Sequence, residues 1–281
     1  MAMRFEGLGL RVMSGLVLIG PVAAAVWYGQ IPFLVLLVLA AIAMSGEWVR
    51  LLQSMEARLT GSLLAGAVSA LLILQFVDSH VTSLMALIVL VLIVGLFCFL
   101  TKRRASIIAG GILYVGLPLW CAQWLRQVED GLYIIVFIFL SVWGTDIFAM
   151  FAGKTIGGPK LAPRISPNKT WSGLLGGIVG AMFGGALSIM LYNFLNEVNV
   201  ALWGGFLSAA LIAIIAQGGD LFESSIKRLH DIKDSGSIIP GHGGILDRVD
   251  GMVSALIAVG LYLLLALHQM GESPITLLWG M

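Results

Sequence analysis

Two polar segments interrupt an otherwise apolar chain, and both carry residue types suited to phosphoryl chemistry. The richer one reads Gln217-Gly218-Gly219-Asp220-Leu221-Phe222-Glu223-Ser224-Ser225-Ile226-Lys227-Arg228, then Lys233-Asp234, then Pro240-Gly241-His242-Gly243-Gly244-Ile245-Leu246-Asp247-Arg248-Val249-Asp250-Gly251. On a helix, Asp220, Glu223 or Ser224, and Lys227 fall on one face, and so do Asp247 and Asp250. The glycines ahead of them allow close approach of backbone to a ligand. Carboxylates at two helix ends with cations between them suit metal-assisted phosphoryl transfer. Hard oxygens hold Mg²⁺, which keeps several waters and bridges phosphates, while Lys and Arg neutralise charge on the reacting centre and leaving group. Salt bridging of the basic residues to Asp231, Asp234, Asp247 and Asp250 accounts for the charge balance. It does not account for Asp220 and Asp146 on apolar flanks, where ionisable groups are costly and mark function.

The other segment runs from Gly153 to Trp171 with four cations (Lys154, Lys160, Arg164 and Lys169) and no carboxylate. Its glycines and prolines are expected to hold the backbone out of regular structure and leave N–H groups free. Thr170 and Ser172 are placed to cap the helix that follows, which sets Lys169 beside a positive helix end. Cations beside free N–H groups suit a polyanion such as a phosphate chain. An ordinary positive loop touching anionic lipid has the same composition.

The elements that position these segments are transmembrane helices. Of 281 residues 59% are hydrophobic and 11% charged, with a mean hydropathy of +1.00. A soluble domain is about a quarter charged, so lipid is the main solvent. The net charge of +1 excludes a broadly basic nucleic-acid binder. Cys98 and Cys121 stand alone in apolar runs, with no metal-ligand spacing. A bilayer core needs about 20 apolar residues per helix. Such stretches lie near 10–28, 32–50, 61–77, 82–100, 107–125, 132–152, 173–195, 202–223 and 252–269. The expected fold is therefore all-α and polytopic, with about nine transmembrane helices. With the N-terminus inside, 15 of the 16 basic residues fall on inside segments and only Arg126 outside, which gives an N-in, C-out topology. The first stretch resembles a signal peptide and reads as an uncleaved anchor. Residues 1–130 read as scaffold, their spans nearly free of ionisable groups apart from Glu47 near a helix end. Residues 131–281 carry the polar segments, all within one integrated membrane domain. Glycines at 173, 176, 177, 180 and 184 have the small-xxx-small spacing of close helix packing.

Ser224-x-Ile226-Lys227-Arg228, Lys233-Asp234-x-Gly236 and Ile239-Pro240-x-His242-Gly243-Gly244-Ile245-x-Asp247-Arg248-Val249-Asp250 together resemble the signature of phosphatidate cytidylyltransferases, or CDP-diacylglycerol synthases. Ser166-Pro167-Asn168-Lys169-Thr170-Trp171 and Gly219-Asp220 are similar to that family as well. The resemblance implies that CTP and phosphatidic acid give CDP-diacylglycerol and pyrophosphate, with Mg²⁺. It implies Asp220 and Asp247 as metal-holding acids, with Asp250 grouped beside them. Lys227, Arg228, Lys233 and Arg248 would contact phosphates, helped by Asn168 and Lys169. The turn of His242, Gly243 and Gly244 would hold triphosphate through backbone N–H groups, and Asp146 would support the acids or pair with a cation. The expected location is the cytoplasmic (inner) membrane, multi-pass, with the site facing the cytoplasm. CTP, phosphatidic acid and the bilayer are the expected partners, no nucleic acid is, and a homodimer is left open.

Two other readings fit the residues less well. Asp247-Arg248-Val249-Asp250-Gly251 begins like a CDP-alcohol phosphotransferase motif, but Leu256 follows Ala255 where Ala-Arg is required and no later pair of aspartates exists. A transporter would place ionisable groups at midplane in repeated halves, whereas here charge gathers at helix ends. The charge asymmetry makes one direct prediction. Lys160→Cys, in a background lacking Cys98 and Cys121, reacts with an impermeant thiol reagent only from the cytoplasmic side; labelling of sealed cells from outside refutes the topology.

Overall fold

The computed structural model describes residues 19–52, 57–77, 104–236, 243–270 and 273–280, together with Met85, Ile88, Val89, Leu92 and Leu96. Its described elements are α1 (Ile19–Tyr28), α2 (Gln30–Leu51), α3 (Ala57–Val77), α4 (Arg104–Gly111), a π-helical turn (Ile112–Gly116), α5 (Leu117–Gln127), α6 (Gly131–Thr155), β1 (Lys160–Ala162), β2 (Ser166–Thr170), α7 (Trp171–Asn196), α8 (Phe206–Leu229), α9 (Leu246–Met270) and α10 (Pro274–Trp279). Among the described residues, seven helical stretches are long and apolar enough to cross a membrane. Each coincides with one of the nine expected stretches. The stretch at 82–100 lies outside the described residues except at five positions, and the first is described only from Ile19 onward. Helices dominate because in hydrocarbon every backbone N–H and C=O must be satisfied within its own segment. Large apolar side chains such as Leu39, Leu63, Phe183 and Phe194 point outward, as lipid-facing surfaces require.

The chain clusters into two compact units. One comprises Met1–Trp124 and Ile226–Val249, the other Leu125–Ser225 and Asp250–Met281. In the first, α2 packs along α3. Three side chains inside it donate to backbone carbonyls: Gln75 Nε2 to Trp120 O at 3.2 Å, Gln123 Nε2 to Leu72 O at 2.9 Å and Trp48 Nε1 to Ile107 O at 2.9 Å. The indole of Trp48 also stacks on Tyr114 at 4.9 Å. The π-turn precedes Pro118, which has no N–H to give the carbonyl four residues back; the Leu117 N–H bonds Ile112 O instead, five residues back, and the wider turn absorbs the defect.

In the second unit the main contact is between α6 and α7, and the glycine spacing seen in the sequence makes it. A Cβ on Gly180 would overlap the Gly144 carbonyl, one on Gly184 the Leu140 carbonyl, and one on Gly176 the Ala152 methyl. The segment between these helices is more regular than expected. It forms an antiparallel β1–β2 hairpin pairing Lys160 with Thr170 and Ala162 with Ser166, entered through Gly157 and Gly158 at φ 66° and 102°. Thr170 caps α7, its Oγ1 accepting from the Gly173 N–H at 3.1 Å, while Ser172 donates to the Gly157 carbonyl. Trp279 of α10, a helix not anticipated, is buried against Phe137 and Tyr192 at 6.0 and 5.1 Å.

Two boundaries differ from expectation. α8 continues to Leu229 and α9 begins at Leu246, so Asp220 lies inside a helix and not at its end. Glu223, Lys227 and Arg228 are good helix formers, and the helix runs on through them where the apolar pattern stops.

The close α6–α7 approach predicts that Gly184→Val lowers the thermal unfolding midpoint in detergent, by the ~1–3 kcal/mol typical of overpacking. Gly66, with nothing within 4 Å of a built Cβ, is the control: Gly66→Ala leaves the midpoint unchanged or raises it.

Candidate active site

In the second unit, the end of α6, the hairpin, the start of α7 and α8 line a cavity of ≈ 520 Å³, within the ~300–1,000 Å³ of small-ligand sites. Asp146, Lys154, Lys160, Asn168, Lys169, Gln217 and Asp220 line it. Lys169 Nζ lies 2.8 Å from Asp220 Oδ2 and 3.2 Å from the Gln217 carbonyl. Ser224 Oγ donates to Asp220 Oδ1 at 3.2 Å. Three residues expected to act together, Asn168, Lys169 and Asp220, are thus brought to one cavity from far apart in sequence. β2 delivers Lys169, and α8 delivers Asp220 as one turn of a continuous helix.

Asp250 belongs to the same unit, where its carboxylate is repelled by those of Asp220, Glu223 and Asp146; its Oδ1 accepts the Gly251 N–H at 2.7 Å. Glu223 is fully buried. Among the described residues, no three of His, Cys, Asp and Glu converge into a ready-made metal cage. Mg²⁺ does not require one, since one or two carboxylates with waters and substrate phosphates satisfy it.

In the first unit Asp247 has a different environment. Lys227 Nζ lies 2.8 Å from its Oδ1, the Ser235 N–H donates to Oδ1 and Oδ2 at 3.1 and 2.9 Å, and the Gly244 N–H to Oδ2 at 2.9 Å. The side chains of Lys227 and Asp247 are only 11% and 9% exposed. The Gly244 amide, expected to be offered to phosphate, is therefore committed to Asp247. Gly243 adopts φ 84°, a left-handed conformation that glycine takes without strain. Arg228, Lys233 and Arg248 are exposed. His242 lies outside the described residues.

Sequence reasoning gave too little weight to three residues. Glu223 follows Asp220 by three positions, a helical spacing that was visible. Gln217 contributes a carbonyl, which no sequence pattern reveals. Glu47, an isolated acid in an apolar run, is fully buried and accepts from three donors in the segment around Asp247.

A helical membrane protein with cations and carboxylates sharing a cavity has the makings of a phosphoryl- or nucleotidyl-transfer site, and the comparisons agree. The model of the cytidylyltransferase family matches residues 9–267; the chain belongs to that family. A phosphatidate cytidylyltransferase of Rickettsia bellii is 35% identical over 255 residues, covering 88% of this chain and 87% of the relative. Those of Brucella suis and Brucella abortus (strain 9-941) are 47% and 49% identical over 167 and 148 residues. The matched part covers 59% and 52% of this chain and 59% and 53% of the relatives, so it spans little more than half the length of the Brucella proteins.

The Lys227–Asp247 pair predicts a coupled stability effect. Lys227→Met strands a buried carboxylate and destabilises by ~3–5 kcal/mol, the usual cost of breaking a buried ion pair. Adding Asp247→Asn removes the stranded charge while keeping an acceptor for the Ser235 and Gly244 amides, so the double variant is more stable than Lys227→Met alone. Unfolding of the four proteins in detergent measures the cycle, and additive losses contradict the pairing.

Proposed function

We propose that the chain transfers the cytidylyl group of CTP to phosphatidic acid, giving CDP-diacylglycerol and pyrophosphate, at the inner membrane. A phosphate oxygen of phosphatidic acid attacks the α-phosphorus of CTP. The bond from that phosphorus to the bridging oxygen breaks, and pyrophosphate leaves with the electron pair. A phosphate monoester is already nucleophilic at neutral pH, so the protein's work is positioning and charge neutralisation. The observation that carries the reading is the cavity where Lys154, Lys160 and Lys169 meet Asp146 and Asp220. Family membership and the relatives' names support the same reaction over a transporter or a CDP-alcohol phosphotransferase.

Lys154, Lys160 and Lys169 are assigned to the phosphates in that cavity, and Asn168 orients them. Arg228, Lys233 and Arg248, exposed on the segments around α8 and α9, are assigned to substrate phosphates as well. Asp220 and Asp250 would hold Mg²⁺; when bound it neutralises phosphate charge and steadies the leaving group. The like charge that Asp250 meets from Asp220, Glu223 and Asp146 is the feature that fits a divalent cation, which would relieve it. Asp247 accepts from Lys227 and from the Ser235 and Gly244 N–H groups, a fuller set of donors than Lys169 and Ser224 give Asp220, so its assignment here is to hold Lys227 and those two amides. Nine spans with the N-terminus inside would put both polar segments on the cytoplasmic side, where CTP is, as the distribution of Lys and Arg supports.

The test is CTP-dependent pyrophosphate release by the purified protein in detergent with phosphatidic acid, titrated with Mg²⁺. Asp220→Asn and Asp250→Asn raise the Mg²⁺ midpoint and lose most turnover. Lys169→Met lowers kcat/KM for CTP about tenfold or more, the equivalent of ~1.4 kcal/mol in the transition state. Asp247→Asn lowers turnover and stability with the Mg²⁺ midpoint unshifted. No CTP-dependent release by the folded wild-type protein refutes the function, and a midpoint shifted only by Asp247→Asn moves the metal to that residue.

A further inference from the structure

Glu47 is the acid that the reaction does not use. It lies on α2, almost 200 residues before the segment that carries the signature, and is fully buried. Its Oε1 accepts the Ile245 N–H at 2.9 Å, and its Oε2 accepts the Leu246 N–H at 2.8 Å and the Ser235 hydroxyl at 3.2 Å. Ile245 and Leu246 supply N–H groups at the very start of α9, where no intrahelical acceptor exists, and a carboxylate there also answers the helix dipole. Glu47 thus caps α9 from another helix.

The same stretch of backbone is shared with Asp247. Ser235 gives its hydroxyl to Glu47 and its N–H to Asp247. Of three successive amides, Gly244 bonds Asp247, whereas Ile245 and Leu246 bond Glu47. Gly236 and Gly244 close the arrangement: a built Cβ would come within 2.7 Å of Glu47 Oε1 at position 236 and within 2.6 Å of Oε2 at position 244. Gly236 therefore admits a carboxylate from the N-terminal part of the chain, and Gly244 admits that carboxylate together with the Ser235 hydroxyl.

We infer that Glu47 is a positioning residue: it holds Ser235 and the Ile245–Leu246 backbone, and with them Asp247 and Lys227, in the arrangement used for nucleotide. The inference rests on the proposed reaction for its kinetic half only.

The experiment uses Glu47→Gln, which keeps one acceptor oxygen and the side-chain size but turns an NH₂ toward amide donors, and Glu47→Asp, which keeps the charge but shortens the reach. Both are purified in detergent, assayed with CTP and phosphatidic acid, and followed by hydrogen exchange. Expected for Glu47→Gln is a loss of about tenfold or more in kcat/KM for CTP, with KM for phosphatidic acid changed less than about twofold. Amide exchange at Ser235 and at Gly244–Asp247 accelerates about tenfold or more while α6 and α7 keep wild-type protection. Glu47→Asp falls between wild type and Gln in both measurements. Wild-type kinetics and exchange in Glu47→Gln overturn the inference. A uniform rise in exchange with equal losses toward both substrates overturns it too, because Glu47 is then a fold residue only. If the wild type has no CTP-dependent activity but the loop exchange still rises selectively, the proposed reaction falls and the anchoring stands.

Discussion

A carboxylate buried beside lipid-facing helices must be supplied with donors, and meeting that demand shapes the polar end of this protein. Asp247 accepts from Lys227, Ser235 and Gly244, so a cation from one helix and amides from two separate stretches of chain converge on one group. Removing an amide from water without a partner costs ~1–3 kcal/mol, and stranding a buried charge costs more. Alternatives to this arrangement are therefore expensive for the two amides and the acid together. Asp247 holds Ser235 and Gly244 by the same contacts that make its own burial tolerable.

The second unit solves the opposite problem. There Asp250 faces like charge from Asp220, Glu223 and Asp146, and Lys169 pairs with Asp220. The rigid part lies beneath, where glycines let α6 and α7 touch backbone to backbone. The hairpin that carries Lys169 is thereby anchored at the end of α6 and the start of α7, with Thr170 as the cap. Close helix packing uses no side-chain volume, so the polar groups at its end can be placed with little freedom. An electrostatically strained cluster on a stiff support is the arrangement that preorganised phosphate and metal sites use.

The helices were legible because an apolar run of about 20 residues has few other fates, and the glycine stripe because its spacing has a single geometric meaning. The convergence of the Lys169 loop on Asp220 was legible only through the resemblance, since 51 positions separate the two residues and periodicity links nothing at that range. The hairpin was missed because the Gly and Pro around it read as breakers, while strand pairing between Lys160 and Thr170 is a tertiary choice. The extension of α8 past Ser224 was missed because hydropathy marks where lipid contact ends, not where the helix does. Gly244 was read as a phosphate donor; one segment cannot show that its amide is claimed by a side chain three residues on.

Glu47 shows why local reading fails at such a site. An acid near the end of an apolar span does not announce its partners, since two of the three are main-chain N–H groups that leave no trace in composition. Seen from the loop, the same residue is the cheapest solution. The start of α9 exposes amides that water does not reach, Ser235 is buried, and an apolar side chain from α2 would satisfy none of them. A lysine would bring donors to donors, and an amide would present its NH₂ to one of them. Of the side chains long enough to cross from α2, only a carboxylate accepts at every contact. Its approach then takes the room a side chain would need at 236 and, with the Ser235 hydroxyl, at 244, so a pattern that looks like a self-contained motif is half of an interaction.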